Sequence, residues 1–438
     1  MSSDTLSTVE TALADAPLDS AIAKAKRRLV WFVVLLYCVA VLDRVNVGFA
    51  ALTMNKAVGL SAAAFGFGAS LFVAGNFIFE IPSNIMLGRV GARRWLARIG
   101  VTWGLLTMIM SIIPGERSFY VVRFLVGAAE AGAFPGIMLF LSSWFPKAHR
   151  AHLNALFLLS IPITNAVSAP LAATLMSLDG WMHLAGWQWL FVIEGLGSIL
   201  VGAATFLFLT DRPADAAWLS EKERNALQDA LAEEHRDSET QQTSTIRGAL
   251  LSVPVILLGL TYSGINLSMV TAAFWMPQIV KAAGLPTTQV GYAVALAFAL
   301  GAVAMVFWGR RSDRTRERFY HTIIPALVGV AGWCLAAVAK DPVLLIAALS
   351  LATIGHFSSG AVLWAIPSQY LSGIGAAAGF ATVTTIAHVV SALGLSAIGI
   401  VKDSTGGFQD ALLLVGVCFL ITPIGMIALQ LWHKKGKS

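Results

Sequence analysis

Four ionisable side chains stand in otherwise apolar stretches: Asp43 beside Arg44, and Arg123 seven positions before Glu130. A charge at mid-bilayer costs about 3 kcal/mol or more, so such groups face protein or a water-filled cavity and mark functional paths. Seven residues are close to two helical turns, which puts Arg123 and Glu130 on one side of a helix, roughly 10 Å apart. Helical neighbours diverge by about 100°, so Asp43 and Arg44 must each seek a partner elsewhere. Arg44 with Glu130, and Arg123 with Asp43, are the attractive pairings. Guanidinium suits an organic anion through its bidentate geometry and permanent charge. A carboxylate shielded from water holds its proton more tightly, and a neighbouring arginine reverses this. An anion and a carboxylate competing for one arginine would therefore link anion binding to protonation, with Asp43 and Glu130 as the proton sites. The plainer alternative is a static ion-pair network, but buried pairs stabilise poorly for their desolvation cost.

The remaining embedded polar groups divide unevenly. Glu80, in FIFEIPSN, lies toward one end of its segment and suits gating or packing better than anion contact. Glu194, in WLFVIEGLGS, suits a structural role. The second half of the chain offers no embedded acid, only His356 and His388 with polar groups such as Tyr262, Asn266 and Gln369. Of these, His388 is the stronger candidate for a cavity position. Pro135 with Gly132 and Gly136 allows close approach or a kink near Glu130.

These residues need a frame of long helices. Of 438 residues 57% are hydrophobic and 12% charged, with a mean hydropathy of +0.74; a soluble domain carries about a quarter charged residues. Twelve stretches are long and apolar enough to span a bilayer: 29–52, 63–87, 95–113, 119–144, 151–177, 188–209, 253–280, 288–308, 320–339, 342–365, 376–401 and 409–432. An all-α membrane protein follows, with two pseudo-symmetric six-helix bundles at 29–210 and 253–432. A tail at 1–28, a polar loop at 211–252 and a tail at 433–438 complete it. Within the loop, WLSEKERNALQDALAEEH has helical spacing, with Trp218, Leu219, Leu227 and Leu231 on one face.

Of the 30 Lys and Arg residues, 23 fall in the two tails and alternate loops, and five (Lys56, Arg117, Lys281, Lys340 and Lys402) fall in the others. The positive-inside rule then places both termini in the cytoplasm. This asymmetry accounts for the net charge of +6 without nucleic acid. Cys38, Cys334 and Cys418 show neither metal-ligand nor disulfide spacing. No H-E-x-x-H, G-x-S-x-G or Walker pattern supports an intramembrane enzyme or a nucleotide-driven pump, and neither a metal nor a cofactor is expected.

Short Gly- and Arg-rich loops follow the second span of each half: Gly88-Arg89-Val-Gly91-Ala-Arg93-Arg94, and Gly309-Arg-Arg-Ser-Asp313-Arg314. This parallel repeat is the arrangement of major facilitator transporters. Their loop motif is G-x-x-x-D-R-x-G-R-R/K; the second copy keeps Gly309, Asp313 and Arg314, while the first has Gly88 at the acidic position. With LDRVNVGFA, FEIPSN, RFLVGAAEAGAFPG, GWQWLFVIEG, LTDRPADAAWLSEKER and LWAIPSQYL, the chain resembles the anion:cation symporters of that superfamily over almost its whole length. Within them it looks most like bacterial tartrate, 4-hydroxyphenylacetate, aromatic-acid and sugar-acid permeases.

The resemblance implies alternating access and proton-driven uptake of a small organic anion across a bacterial inner membrane, by a monomer. Asp43 and Glu130 match the family's proton-coupling carboxylates, Arg44 and Arg123 its intramembrane arginines, both expected to bind the substrate carboxylate, and Trp364 a tryptophan of the C-half cavity. Asn76 stands where relatives commonly have Tyr, and His388 where they commonly have Asn; both are expected to face substrate, with Asn266 and Tyr262. Glu80, Arg89, Asp313 and Arg314 are expected to govern gating. An anion exchanger or uniporter on the same site is the alternative mechanism. A membrane anion receptor is the alternative class, although it predicts a soluble signalling domain that the loop and tails do not offer.

Overall fold

The computed structural model describes residues 16–239, 252–366 and 373–435. Gln369, named above, lies outside them. Among the described residues twelve helices are long and apolar enough to cross a membrane. The first six are α1 (Ala16–Val58), α2 (Ala62–Val90), α3 (Ala92–Ile112), α4 (Glu116–Trp144), α5 (Lys147–Met176) and α6 (Gly186–Phe208). A helix of the central loop, α7, spans Glu221–Glu239. The second six are α8 (Val253–Ala282), α9 (Thr287–Thr315), α10 (Phe319–Val338), α11 (Pro342–Leu363), α12 (Gly379–Thr405) and α13 (Gln409–Lys434).

The packing repeats between halves. The second span packs on the fourth (α2 on α4, α9 on α11), and the third on the sixth (α3 on α6, α10 on α13). The halves meet through α1–α8, α2–α12 and α5–α9, the last two each joining a second span to a fifth. Chain direction defines two faces: the basic face, where the Arg-rich loops turn, and the far face opposite.

The described inter-half bonds cluster toward the far face. Asp403, near the end of α12, accepts from the backbone N–H groups of Ala62 (3.1 Å) and Ala63 (2.7 Å), two of the free donors at the start of α2. Ser70 and Ser396 hydroxyls lie 2.7 Å apart. Small residues let the backbones touch: a Cβ on Gly48 would lie 2.8 Å from the Phe274 carbonyl oxygen, and one on Gly291 3.0 Å from that of Ala169. Trp275 packs edge-on against Phe65 and Phe408, with the Lys402 ammonium 4.3 Å from the Phe408 ring centroid.

On the basic face the central loop folds back onto the first half. Trp218 stacks on Trp144 at 5.5 Å, Leu219 and Leu227 are buried, and Leu231 is half-buried. The helix starts only at Glu221, so Trp218 and Leu219 sit on the turn before it, because Ser220 and Glu223 form a reciprocal cap (Ser220 N–H to Glu223 at 2.9 Å, Glu223 N–H to Ser220 Oγ at 3.3 Å). Glu223 also accepts from Ser20 (2.6 Å) and pairs with Lys24 (2.7 Å), tying the loop to the start of α1. The Lys24 ammonium, then the Ser20 hydroxyl and the Ser220 amide, hold its carboxyl down to about 2. A depressed carboxyl stabilises docking fully above the unfolded value of about 4.3 and loses that contribution as pH falls through the folded value. Limited proteolysis of the loop should therefore accelerate between about pH 4 and pH 2, and Glu223→Gln should accelerate it already at neutral pH.

Candidate functional site

The fourth span is broken at the site. Its helix runs Glu116–Glu130, leaves helical geometry at Ala131 (ψ 134°), passes Gly132 at φ 81° and resumes over Ala133–Trp144. Glu130 thus ends a half-helix. Interrupted helices of this kind border transporter binding sites. The break is at Ala131–Gly132, with Pro135 three residues into the second segment, where a missing N–H costs nothing. A side chain at 132 would meet Ser83 Oγ at 2.5 Å, and the left-handed backbone adds about 1–2 kcal/mol for an L residue.

Arg44 of α1 forms an ion pair with Glu130 across to α4, the first of the two expected pairings. Glu130 is 1% exposed and the Arg44 side chain 32%, so one partner is sealed and the other is open.

The second pairing does not close. Asp43 accepts from Thr107 Oγ1 at 3.2 Å, and its Oδ2 has no donor. Arg123 is 1% exposed, and Nε and one terminal nitrogen have no acceptor. Its guanidinium instead lies 4.5 Å from the centroid of Phe72 and 5.5 Å from that of Phe274. Two aromatic faces occupy the space a carboxylate would need, and their quadrupoles attract the cation. Phe72 also lies 5.7 Å from Arg44, so one ring stands between both arginines.

The other candidates fall at three depths. Asn76, half-buried on α2, lies level with the α4 segment between Arg123 and Glu130, with its backbone beside Gly127. His388 on α12 is half-buried, its Nδ1 has no partner, and its ring centre is 6.4 Å from that of Phe77. Toward the basic face, Tyr262 meets Trp364 edge-on at 4.8 Å, and Trp364 stacks on Phe380 at 5.8 Å, forming an aromatic wall. Glu80 is half-buried on α2, one turn beyond Asn76 in the same direction. Asn266 is spent on packing: at 3% exposure its Nδ2 donates to Ser391 Oγ at 2.8 Å, bonding α8 to α12. His356 is likewise buried, with Nδ1 3.0 Å from Ser268 Oγ. Both oxygens of Glu194 lack partners at 6% exposure.

The gating candidates sit on the basic face. Arg89 and Arg314 are exposed, and Asp313 pairs with Arg318 at 2.8 Å. The first loop lacks an acid of its own, but Asp211 at the end of the sixth span accepts from the Arg93 N–H at 2.8 Å. Distance along the chain hid that substitution. Phe274 and Thr107 were hidden in another way, since an aromatic or a threonine in an apolar span is indistinguishable from ordinary core.

The sequence profile of the Major Facilitator Superfamily matches residues 33–395. The chain belongs to this superfamily. A protein of Agrobacterium vitis named "Putative tartrate transporter" is 44% identical over 397 residues, covering 91% of this chain and 88% of the relative. A "Quinolone resistance transporter" of Acinetobacter baumannii is 37% identical over 394 residues, covering 90% and 91%. The xylose transporter XylE from E. coli, in a partially occluded inward-open conformation, superposes with a TM-score of 0.74 over 92% of this chain and 98% of that one, at 13% identity. That last likeness is one of fold. As a member of the superfamily the protein is a multi-pass secondary transporter, and the relatives' names differ in cargo.

Proposed function

We propose that this major facilitator protein is a proton-coupled symporter that brings a small organic anion into the cytoplasm across a bacterial inner membrane by alternating access. The observation that carries this reading is the ion pair of half-exposed Arg44 with sealed Glu130 at the break in α4. A carboxylate entering the cavity needs Arg44, and Glu130 already holds it. Protonating Glu130 frees the guanidinium while leaving no buried charge unpaired, which would otherwise be strongly destabilising. Proton and anion thus bind together. Neither is favoured alone, which is the thermodynamic condition for symport.

Asp43 and Arg123 supply a second opposite-charge couple whose proton occupancy adjusts the net charge of the loaded site. The C-half contributes no embedded acid, and its Tyr262, Trp364 and His388 shape the pocket. Cargo choice then falls to these groups and Asn76. The positive-inside distribution supports a cytoplasmic basic face with both termini inside, and the inter-half bonds gathered on the far face support an inward opening for the exposed side of Arg44.

Reconstituted protein should accumulate the anion when the proton gradient points inward. A thermal-shift panel running from tartrate and galactonate to phthalate and 4-hydroxyphenylacetate selects the cargo. Counterflow with no pH dependence would replace symport by exchange or uniport on the same site.

A further inference from the structure

The two arginines differ in depth and in what covers them. On α4, which runs from the far face to the basic face, Arg123 lies about two turns nearer the far face than Glu130. Its covers come from different halves: Phe72 belongs to α2, whereas Phe274 belongs to α8 and is itself 1% exposed. The two rings meet edge-on at 6.1 Å, and the Phe274 backbone rests against Gly48 of α1. That contact belongs to the far-face seam. When the halves part there, Phe274 leaves with the C-half while Phe72 and Arg123 stay together. The guanidinium then keeps one aromatic face, and its unused N–H donors turn to water.

We propose that Arg123 is the anion contact of the far-open state, covered here by Phe274, and that an incoming carboxylate passes from Arg123 to Arg44 around the ring of Phe72. This rests on the alternating-access reading above. Buried N–H donors without acceptors are rare because each forfeits its hydration; in Arg123 they mark where an acceptor belongs at another stage of the cycle. Phe72 touches both cations, so the handover needs no crossing of apolar space. Arg44, with its open cavity side, is the arginine from which cargo departs. A purely structural Arg123, acting as counter-charge to Asp43, would matter equally in every conformation.

The far face can be locked to separate these cases. Cys38, Cys334 and Cys418 are replaced by Ser, and Ser70→Cys with Ser396→Cys introduces a pair where the native hydroxyls are 2.7 Å apart. Oxidation holds the seam shut and reduction releases it. Tartrate, or the panel acid giving the largest thermal shift, is the probe. Arg123→Ala should weaken its binding about tenfold or more in the reduced protein, the loss of a charge-assisted contact, and by less than about twofold in the oxidised protein. Equal weakening in both forms, or none in either, overturns the proposal. A second measurement needs no cargo: Phe274→Cys, without the Ser70 and Ser396 changes, should react with a membrane-impermeant methanethiosulfonate applied from the far side. Failure to react overturns the proposal and leaves the symport reading standing; failure of every panel acid to bind the reduced, otherwise unaltered protein overturns both.

Discussion

Glu130→Gln is expected to abolish uphill accumulation while preserving counterflow. Glutamine matches the shape of protonated glutamate and remains neutral, so the variant rests permanently in the state that releases Arg44. Anion binding no longer waits for a proton, and anion release no longer returns one. The accumulation ratio should fall to about one, because a ligand that gains nothing from protonation cannot be driven by it. Exchange of labelled for unlabelled anion needs only binding and reorientation, so it should continue at a rate within about an order of magnitude of the original, and its pH dependence should flatten. Proteoliposomes with an imposed inward proton gradient provide both readouts. Continued accumulation against a concentration gradient would remove Glu130 from the coupling role. Loss of both activities, with a lowered melting temperature, would mark it instead as a packing residue.

Arg44→Ala should, on the symport reading, remove carboxylate binding. A charge-assisted hydrogen bond is worth about 1.5–3 kcal/mol, and truncating one member of a buried charged pair costs about 2–5 kcal/mol. Affinity should therefore drop by about two orders of magnitude or more. The substitution also strands Glu130, which is 1% exposed and has Arg44 as its ion-pair partner. The stranded carboxylate is more cheaply neutral, so the variant should also take up a proton that the native protein does not hold, measurable as a change in buffer-dependent proton uptake. Arg44→Lys separates charge from geometry: a lysine restores the cation but not the planar fork, and should recover only part of the affinity by isothermal titration calorimetry. Affinity within about threefold of the original in Arg44→Ala would sink the anion-site role, since such a difference is below the worth of one charged contact.

The helices themselves were legible because bilayer spans are long and nearly free of charge. Their ends were less so. The first span, expected over 29–52, is part of a helix covering Ala16–Val58, since Lys24 through Arg28 continue it beyond any hydrocarbon boundary and Lys24 finds Glu223 there. The charged residues of the site were legible for the same reason: charge in an apolar span has few innocent explanations. Spacing on one helix carries no information on which side chains of two helices meet, and so Arg44–Glu130 formed where Arg123–Asp43 did not. The helix break beside Glu130 was foreshadowed by Gly132 and Pro135, but the close approach of Ser83 that leaves no room for a side chain at 132 was not. Phe274 gave no local signal at all. Its importance comes from which half it belongs to and what it covers, both properties of assembly. Asp403 likewise looks like an ordinary turn acid until α2 presents its free N–H groups to it.

At glycines 48, 66, 291 and 399 of the far-face seam main chain lies against main chain, beside the side-chain contacts of Asp403, Trp275 and the Ser70–Ser396 hydroxyls. Main chain has no rotamers to reset and leaves no empty sockets when it withdraws. In the proposed symport cycle one reorientation proceeds with the site vacant, and neither cargo nor proton pushes it. The glycine contacts make their share of that stroke cheap, so bulk added at any of them should slow the return of the empty carrier more than it weakens its grip on the load.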